Sequence, residues 1–210
     1  FYECILLISI GYLIRFLRWR FIIKKLDLHI PWKDDFLSWM GSYAFTASPG
    51  KAGELIRSYF LYEKFGISII KTTSSIIFER VSDFISVLFI IIFNWKIFIN
   101  INSHWLKSGV NFFYVLLVIV ISFILIIPKY KLNIKKLFNK LLPKTISRIS
   151  TISFETLKEF FKFKFLFLTS FLGIVSWTLE GLSLFLILNK ISSIKITFWG
   201  ATLAHTSAGL

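Results

Sequence analysis

Long apolar blocks constrain this chain more than any motif does, because they outrun what a soluble core can hide. Five are legible: Phe1 to about Leu17, Thr72 to Trp95, Val110 to Ile127, Phe165 to Leu188, and a last one from about Ile196 to Leu210. A spanning helix needs roughly 20 residues at 1.5 Å each, so each block except the last is read as a transmembrane span of about the required length. The Ile196–Leu210 block is read as a truncated span. Few charges interrupt them. Glu3 and Arg15 lie in the first, Glu79, Arg80 and Asp83 in the second, none in the third, and Glu180 alone in the fourth.

Composition agrees with lipid as the solvent for these blocks. Apolar residues make up 56% of the 210 positions, 25 are Phe, and only 17% are charged; mean hydropathy is +0.73. A soluble domain keeps about 25% charged residues for its surface. The expected fold is therefore all-α: a polytopic integral membrane bundle forming a single transmembrane domain over 1–210. The chain opens and stops inside apolar runs without an initiator Met, which predicts a fragment of a larger protein. Phe1–Leu17 lacks the basic n-region and small-residue cleavage site of a signal peptide. A lone Cys4 argues against a disulfide framework or a cysteine metal site.

Positive charge sets the orientation. Lys129, Lys131, Lys135, Lys136, Lys140, Lys144 and Arg148 fill loop 129–148 without an acid, and Arg18, Arg20, Lys24, Lys25 and Lys33 follow the first span. The positive-inside rule puts both in the cytoplasm. Segment 34–62 must then enter and leave on one side, as a re-entrant hairpin or a pair of short helices. The net charge of +14 is read as topology and attraction to anionic lipid, with nucleic acid excluded as a partner because no basic stretch is attached to a soluble domain. Between the third and fourth spans, Ile152, Phe154, Leu157, Phe160 and Phe161 form a stripe opposite Glu155, Lys158, Glu159 and Lys162. Residues 150–162 are thus an interfacial helix or a packed connector.

Three stretches carry chemistry. "SPGKAGELIRSYFL" breaks any helix at Pro49 and Gly50, continues through Lys51 and Gly53, and then sets Glu54 and Arg57 one turn apart. Broken backbone at membrane depth survives where it is buried in protein or lines a wet cavity, and the helix that follows points its N–H groups at an anion. Its "PGKAGE" lacks the spacing of a phosphate loop, so nucleotide binding is rejected. "FERVSDF" places Glu79 about seven residues, ~10 Å, inside its span. Ionisable groups at such depth cost roughly 2.5–3.5 kcal/mol each and so pair or line a pathway. Glu79 and Asp83 repel at i, i+4 without a cation, which Arg80 or Arg57 can supply. The plainer reading is a salt-bridge cluster tying hairpin to span. "IRFLRWRF" ends the first span with Arg15, Arg18 and Trp19, in the manner of an interfacial anchor.

In this order and spacing, "RFLRWR", "SPGKAGELIRSYFL" and "FERVSD" together resemble the flippase-like family, also called the lysylphosphatidylglycerol synthetase transmembrane-region family. It includes the membrane half of the multiple-peptide-resistance proteins and standalone relatives. The resemblance is close over Ile14–Phe93 and rests on hydropathy and order beyond it. It implies a helical membrane fold that handles a lipid with a charged or phosphate headgroup. It also implies that the Pro-Gly hairpin and the Glu-Arg pair belong to a central cavity. Members usually carry a second Pro-Gly-rich hairpin, whose approach "ATLAHTSAGL" resembles.

The functional expectation is a lipid flippase-like protein in the cell membrane, translocating a phospholipid or a polyprenyl-phosphate lipid. The alternative is the membrane part of a lipid-modifying transferase, for aminoacyl transfer to phosphatidylglycerol or lipid-linked glycosyl transfer. No catalytic constellation stands out: His29, His104 and His205 are scattered, and no HExxH or Ser/His/Asp spacing occurs. Expected site residues are Arg57, Arg80, Glu79, Asp83, Glu54, Lys51 and Arg15, with Pro49, Gly50 and Gly53 as hairpin backbone, and no metal or cofactor. Expected partners are anionic membrane lipids, a lipid synthase, and a second copy of the chain.

Overall fold

Ionic pairing lets helices run further here than their apolar blocks do. The computed structural model describes residues 2–45, 53–94, 115, 156–191 and 196–208, and these are helical or in turns, with no strand among them. The longer helices among the described residues are, in order, α1 (Tyr2–Lys24), α2 (Trp32–Tyr43), α3 (Ile56–Phe65), α4 (Ile69–Phe93), α5 (Phe163–Ile191) and α6 (Phe198–Ala208). Helix α1 continues past Leu17 through Arg18 and Arg20, since each finds a carboxylate: Glu79 at 3.5 Å for Arg18 and Asp35 at 2.8 Å for Arg20. The expected third span apart from Val115, the loop 129–148 and the hairpin tip at Pro49, Gly50 and Lys51 lie outside the described residues.

Helices α1, α4 and α5 have 23, 25 and 29 residues, or about 35, 38 and 44 Å, enough for a hydrocarbon layer of about 30 Å. Among the described residues, α5 alone is both long and apolar enough to cross a membrane. Helices α1 and α4 carry more ionisable residues, notably Arg15, Arg18 and Arg20 on one and Glu79, Arg80 and Asp83 on the other.

Contacts divide the chain into two compact units. Unit 1 comprises Phe1–Leu17, Ser82–Phe123 and Phe167–Leu210. Val87, Ile90 and Ile91 of α4 pack there with Trp177 of α5 and Leu203 of α6. Hydroxyls stitch the helices together: Ser86 donates to the Ser170 carbonyl at 2.8 Å, and Ser176 to the Gly11 carbonyl at 3.2 Å. In lipid, where apolar burial gives little drive between helices, such bonds and close backbone approach replace it. Gly181 supplies the approach, since a Cβ there would lie 2.7 Å from Thr202 Cα.

Unit 2 comprises Arg18–Val81 and Ile124–Leu166. Its core gathers Ile22, Phe78, Phe160 and Phe165, with Leu157 and Phe161 packed against it. Residues 156–160 are helical, so the described part of the expected amphipathic stripe turns its rings onto Phe78, 4.8 Å from Phe160. Helices α2 and α3 run antiparallel: Asp34 pairs with Lys64 at 2.7 Å, and Gly41 faces the Phe60 ring. Acidic Asp34 and Asp35 occupy the first turn of α2, where the helix dipole favours them. Gly66 ends α3 in the left-handed region at φ 64°, its N–H returning to the Tyr62 carbonyl.

Candidate functional site

Unit 2 concentrates ionised side chains where little water reaches them. The end of α1 supplies Arg18 and Trp19, the short turn at 53–55 supplies Glu54, α3 supplies Arg57, and α4 supplies Glu79 and Arg80. Asp35 fixes the frame by accepting from Trp19 Nε1 at 2.9 Å and Arg20 Nη1 at 2.8 Å, which pins α2 to α1. That bond orients the Trp19 ring, over which the Arg57 guanidinium lies 3.9 Å from the centroid. A buried cation on an indole face gains about 2 kcal/mol or more when desolvated.

Glu79 is the hub. Its Oε2 accepts from Arg57 Nη2 at 3.2 Å, while Oε1 lies 3.5 Å from Arg18 Nη2 and 3.8 Å from Arg80 Nη2. Glu54 Oε2 bridges Arg57 at 3.7 Å and Arg80 at 3.5 Å. Arg18, Arg57 and Arg80 thus converge on the carboxylates of Glu54 and Glu79. Arg18, Arg57, Glu54 and Glu79 are buried, and Arg80 is 24% exposed. Arg57 Nε and Nη1 have no hydrogen-bond acceptor among the described residues. A buried donor on a charged group needs an acceptor, and a ligand oxygen can supply one.

Of the residues expected from sequence, Arg57, Arg80, Glu79 and Glu54 come together, and Arg57 and Arg80 share Glu54. Gly53 opens the turn at 53–55. Asp83 is buried on α4 within unit 1. Arg15 also belongs to unit 1, where Glu180 takes its Nε at 2.8 Å and its Nη2 at 3.0 Å. Pro49, Gly50 and Lys51 lie outside the described residues. Sequence reasoning passed over Arg18 and Trp19 as an interface anchor and missed Asp35. The available signal was the cationic run itself, because three arginines in six residues exceed what one membrane anchor needs. Among the described residues, no group of His, Cys, Asp and Glu is placed to hold a metal. At the exposed end of the helical stretch 156–160, a hydrogen bond from Lys162 at 2.6 Å holds the Glu159 carboxyl below its ordinary range.

Over residues 3–203 the chain matches the family described as the lysylphosphatidylglycerol synthase TM region. No curated protein matches it, and no solved structure does.

Proposed function

The chain belongs to the lysylphosphatidylglycerol synthase TM region family, and from that premise we propose that it is a multi-pass membrane protein that moves a lipid across the bilayer by its anionic headgroup. The observation that carries this reading is the convergence of buried guanidiniums in unit 2. Arg18, Arg57 and Arg80 converge on Glu54 and Glu79, and two Arg57 nitrogens have no acceptor among the described residues. A phosphate diester completes such a set, because guanidinium donors pair with its oxygens in a planar fork. Arg80, the most exposed of the three, meets the headgroup first, and Glu79 holds Arg57 and Arg18 in place for it. Lipid tails stay in hydrocarbon throughout, so the protein offsets only the cost of moving the headgroup.

The lipid is a phospholipid or a polyprenyl-phosphate lipid, and loop 129–148 faces the cytoplasm. The family description, a synthase region, favours a second reading as the membrane part of a lipid-modifying transferase. There the same cluster would hold the lipid while another polypeptide segment or partner transfers the aminoacyl or glycosyl group. Reconstitution tests the first reading. Proteoliposomes carrying fluorescently tagged phosphatidylglycerol lose more than half of their signal to an external quencher if the protein moves lipid, and about half if it does not. Arg57→Lys, which keeps the charge but loses the fork, slows the loss. Wild-type protein that leaves the inner leaflet protected sinks the translocation reading.

A further inference from the structure

A second ionic group, wholly within unit 1, is built from one side chain each of α1, α5 and α6. Glu180 stands mid-helix in α5, and its carboxylate is fully engaged. Oε1 accepts from Arg15 Nε at 2.8 Å and lies 3.3 Å from Ser176 Oγ; Oε2 accepts from Arg15 Nη2 at 3.0 Å and lies 2.9 Å from His205 Nε2. The Arg15 guanidinium lies over the Trp177 ring at 4.4 Å, and that ring is 5.5 Å from the imidazole. Arg15 and Glu180 are nearly buried, whereas His205 is 32% exposed.

Arg15 already donates to both oxygens of this carboxylate, so the histidine is a further donor to it. Its tautomer follows from chemistry. A carboxylate that two arginine donors occupy only accepts, so Nε2 carries the hydrogen and the lone pair of the neutral ring sits on Nδ1. Among the described residues His205 has no other hydrogen bond or ion pair. The group therefore has two charge states, +1 − 1 + 0 = 0 and, with a proton on Nδ1, +1 − 1 + 1 = +1. Imidazole is the side chain whose charge changes near neutral pH. Within unit 1 the described parts of these helices bring few other acidic or basic side chains: Arg15 and Glu3 from α1, Glu180 and Lys190 from α5, and Asp83 from α4, with Lys190 and Glu3 4.0 Å apart.

We infer that His205, oriented by Glu180, is a proton-binding site. A proton from water bonds to Nδ1 while Nε2–H stays on Glu180, and its later release to water restores the neutral ring. The uptake and release drive the lipid movement, a step that rests on the translocation reading above. Arg15 is a positioning residue that keeps Glu180 an acceptor.

Two measurements on the full chain separate the claims. In the first, proteoliposomes with tagged phosphatidylglycerol are given a one-unit pH difference, a tenfold ratio of proton activity. The initial rate should change by up to about tenfold for wild type, and the ratio of rates with and without the gradient should fall to about 1 for His205→Gln. Wild-type translocation indifferent to the gradient overturns the coupling. In the second, a His29→Gln/His104→Gln variant leaves His205 as the single histidine for nitrogen-15 spectroscopy in nanodiscs. Nδ1 should gain a proton as the nanodiscs are acidified, even if no lipid moves. A ring that keeps one neutral tautomer however far the still-folded protein is acidified overturns the site. Absence of translocation with a titrating Nδ1 sinks the transport reading alone.

Discussion

Glu79→Gln neutralises the hub of the guanidinium cluster while nearly preserving its shape. Glu79 touches Arg57 at 3.2 Å, Arg18 at 3.5 Å and Arg80 at 3.8 Å, all with little or no exposure at the carboxylate. The change removes one negative charge from among these three guanidiniums. At an effective dielectric of 20, attraction across 3.2 Å is about 5 kcal/mol before desolvation is counted. Removing one partner of a buried pair costs about 3–5 kcal/mol in practice. Glutamine keeps an acceptor oxygen for Arg57, so the lower end, about 3 kcal/mol, is expected. Denaturant titration of the detergent-solubilised protein, followed by tryptophan fluorescence, reads the loss. Asp34→Asn is the internal control, because the Asp34–Lys64 pair is half in water and such pairs are worth at most about 1 kcal/mol. Equal midpoints for Glu79→Gln and wild type would refute the hub role.

Gly181→Ala should destabilise the α5–α6 crossing by about 1–3 kcal/mol, because the new Cβ would meet Thr202 Oγ1 at 2.5 Å and backbone Cα at 2.7 Å; thermal unfolding in detergent checks it. In a Cys4→Ser background, a cysteine at Asn102 should be labelled from outside the cell and one at Asn139 shielded, with the reverse pattern overturning the orientation. Glu159, its carboxyl held low by Lys162, binds protons more weakly folded than unfolded. Its small contribution is therefore present above the unfolded value and lost as pH falls through the folded one. Lys162→Gln, or high salt, should return its titration to the ordinary carboxylate range, observed by carbon-13 spectroscopy.

Hydropathy made the long helices legible, since α4 (Ile69–Phe93) and α5 (Phe163–Ile191) overlay the blocks at 72–95 and 165–188. Partners distant in sequence did not show. Arg18 and Arg20 look like the end of a span, yet α1 continues through them because Glu79 and Asp35 meet them. Arg15 resembles a third headgroup arginine, but its carboxylate comes from Glu180, 165 residues away. A single acid in an apolar span needs a partner, and that rule was the one signal the sequence offered for Glu180. Its histidine was invisible because nothing local marks His205. In the candidate site, Glu54 with Arg57 and Glu79 with Arg80 were legible as close pairs. Their convergence, and the Trp19 face beneath Arg57, depend on how α1, α3 and α4 pack.

Equilibrium binding of phosphatidylglycerol against phosphatidylcholine, by native mass spectrometry of wild type and Arg57→Lys, tests most directly whether the cluster holds an anionic headgroup. Wild type should prefer phosphatidylglycerol, and Arg57→Lys should weaken that preference about tenfold, or 1.4 kcal/mol, while unfolding within about 1–2 kcal/mol of wild type. Equal affinity for both lipids, or a lysine variant that binds like wild type, would contradict headgroup binding and leave the cluster as a salt bridge that holds helices together.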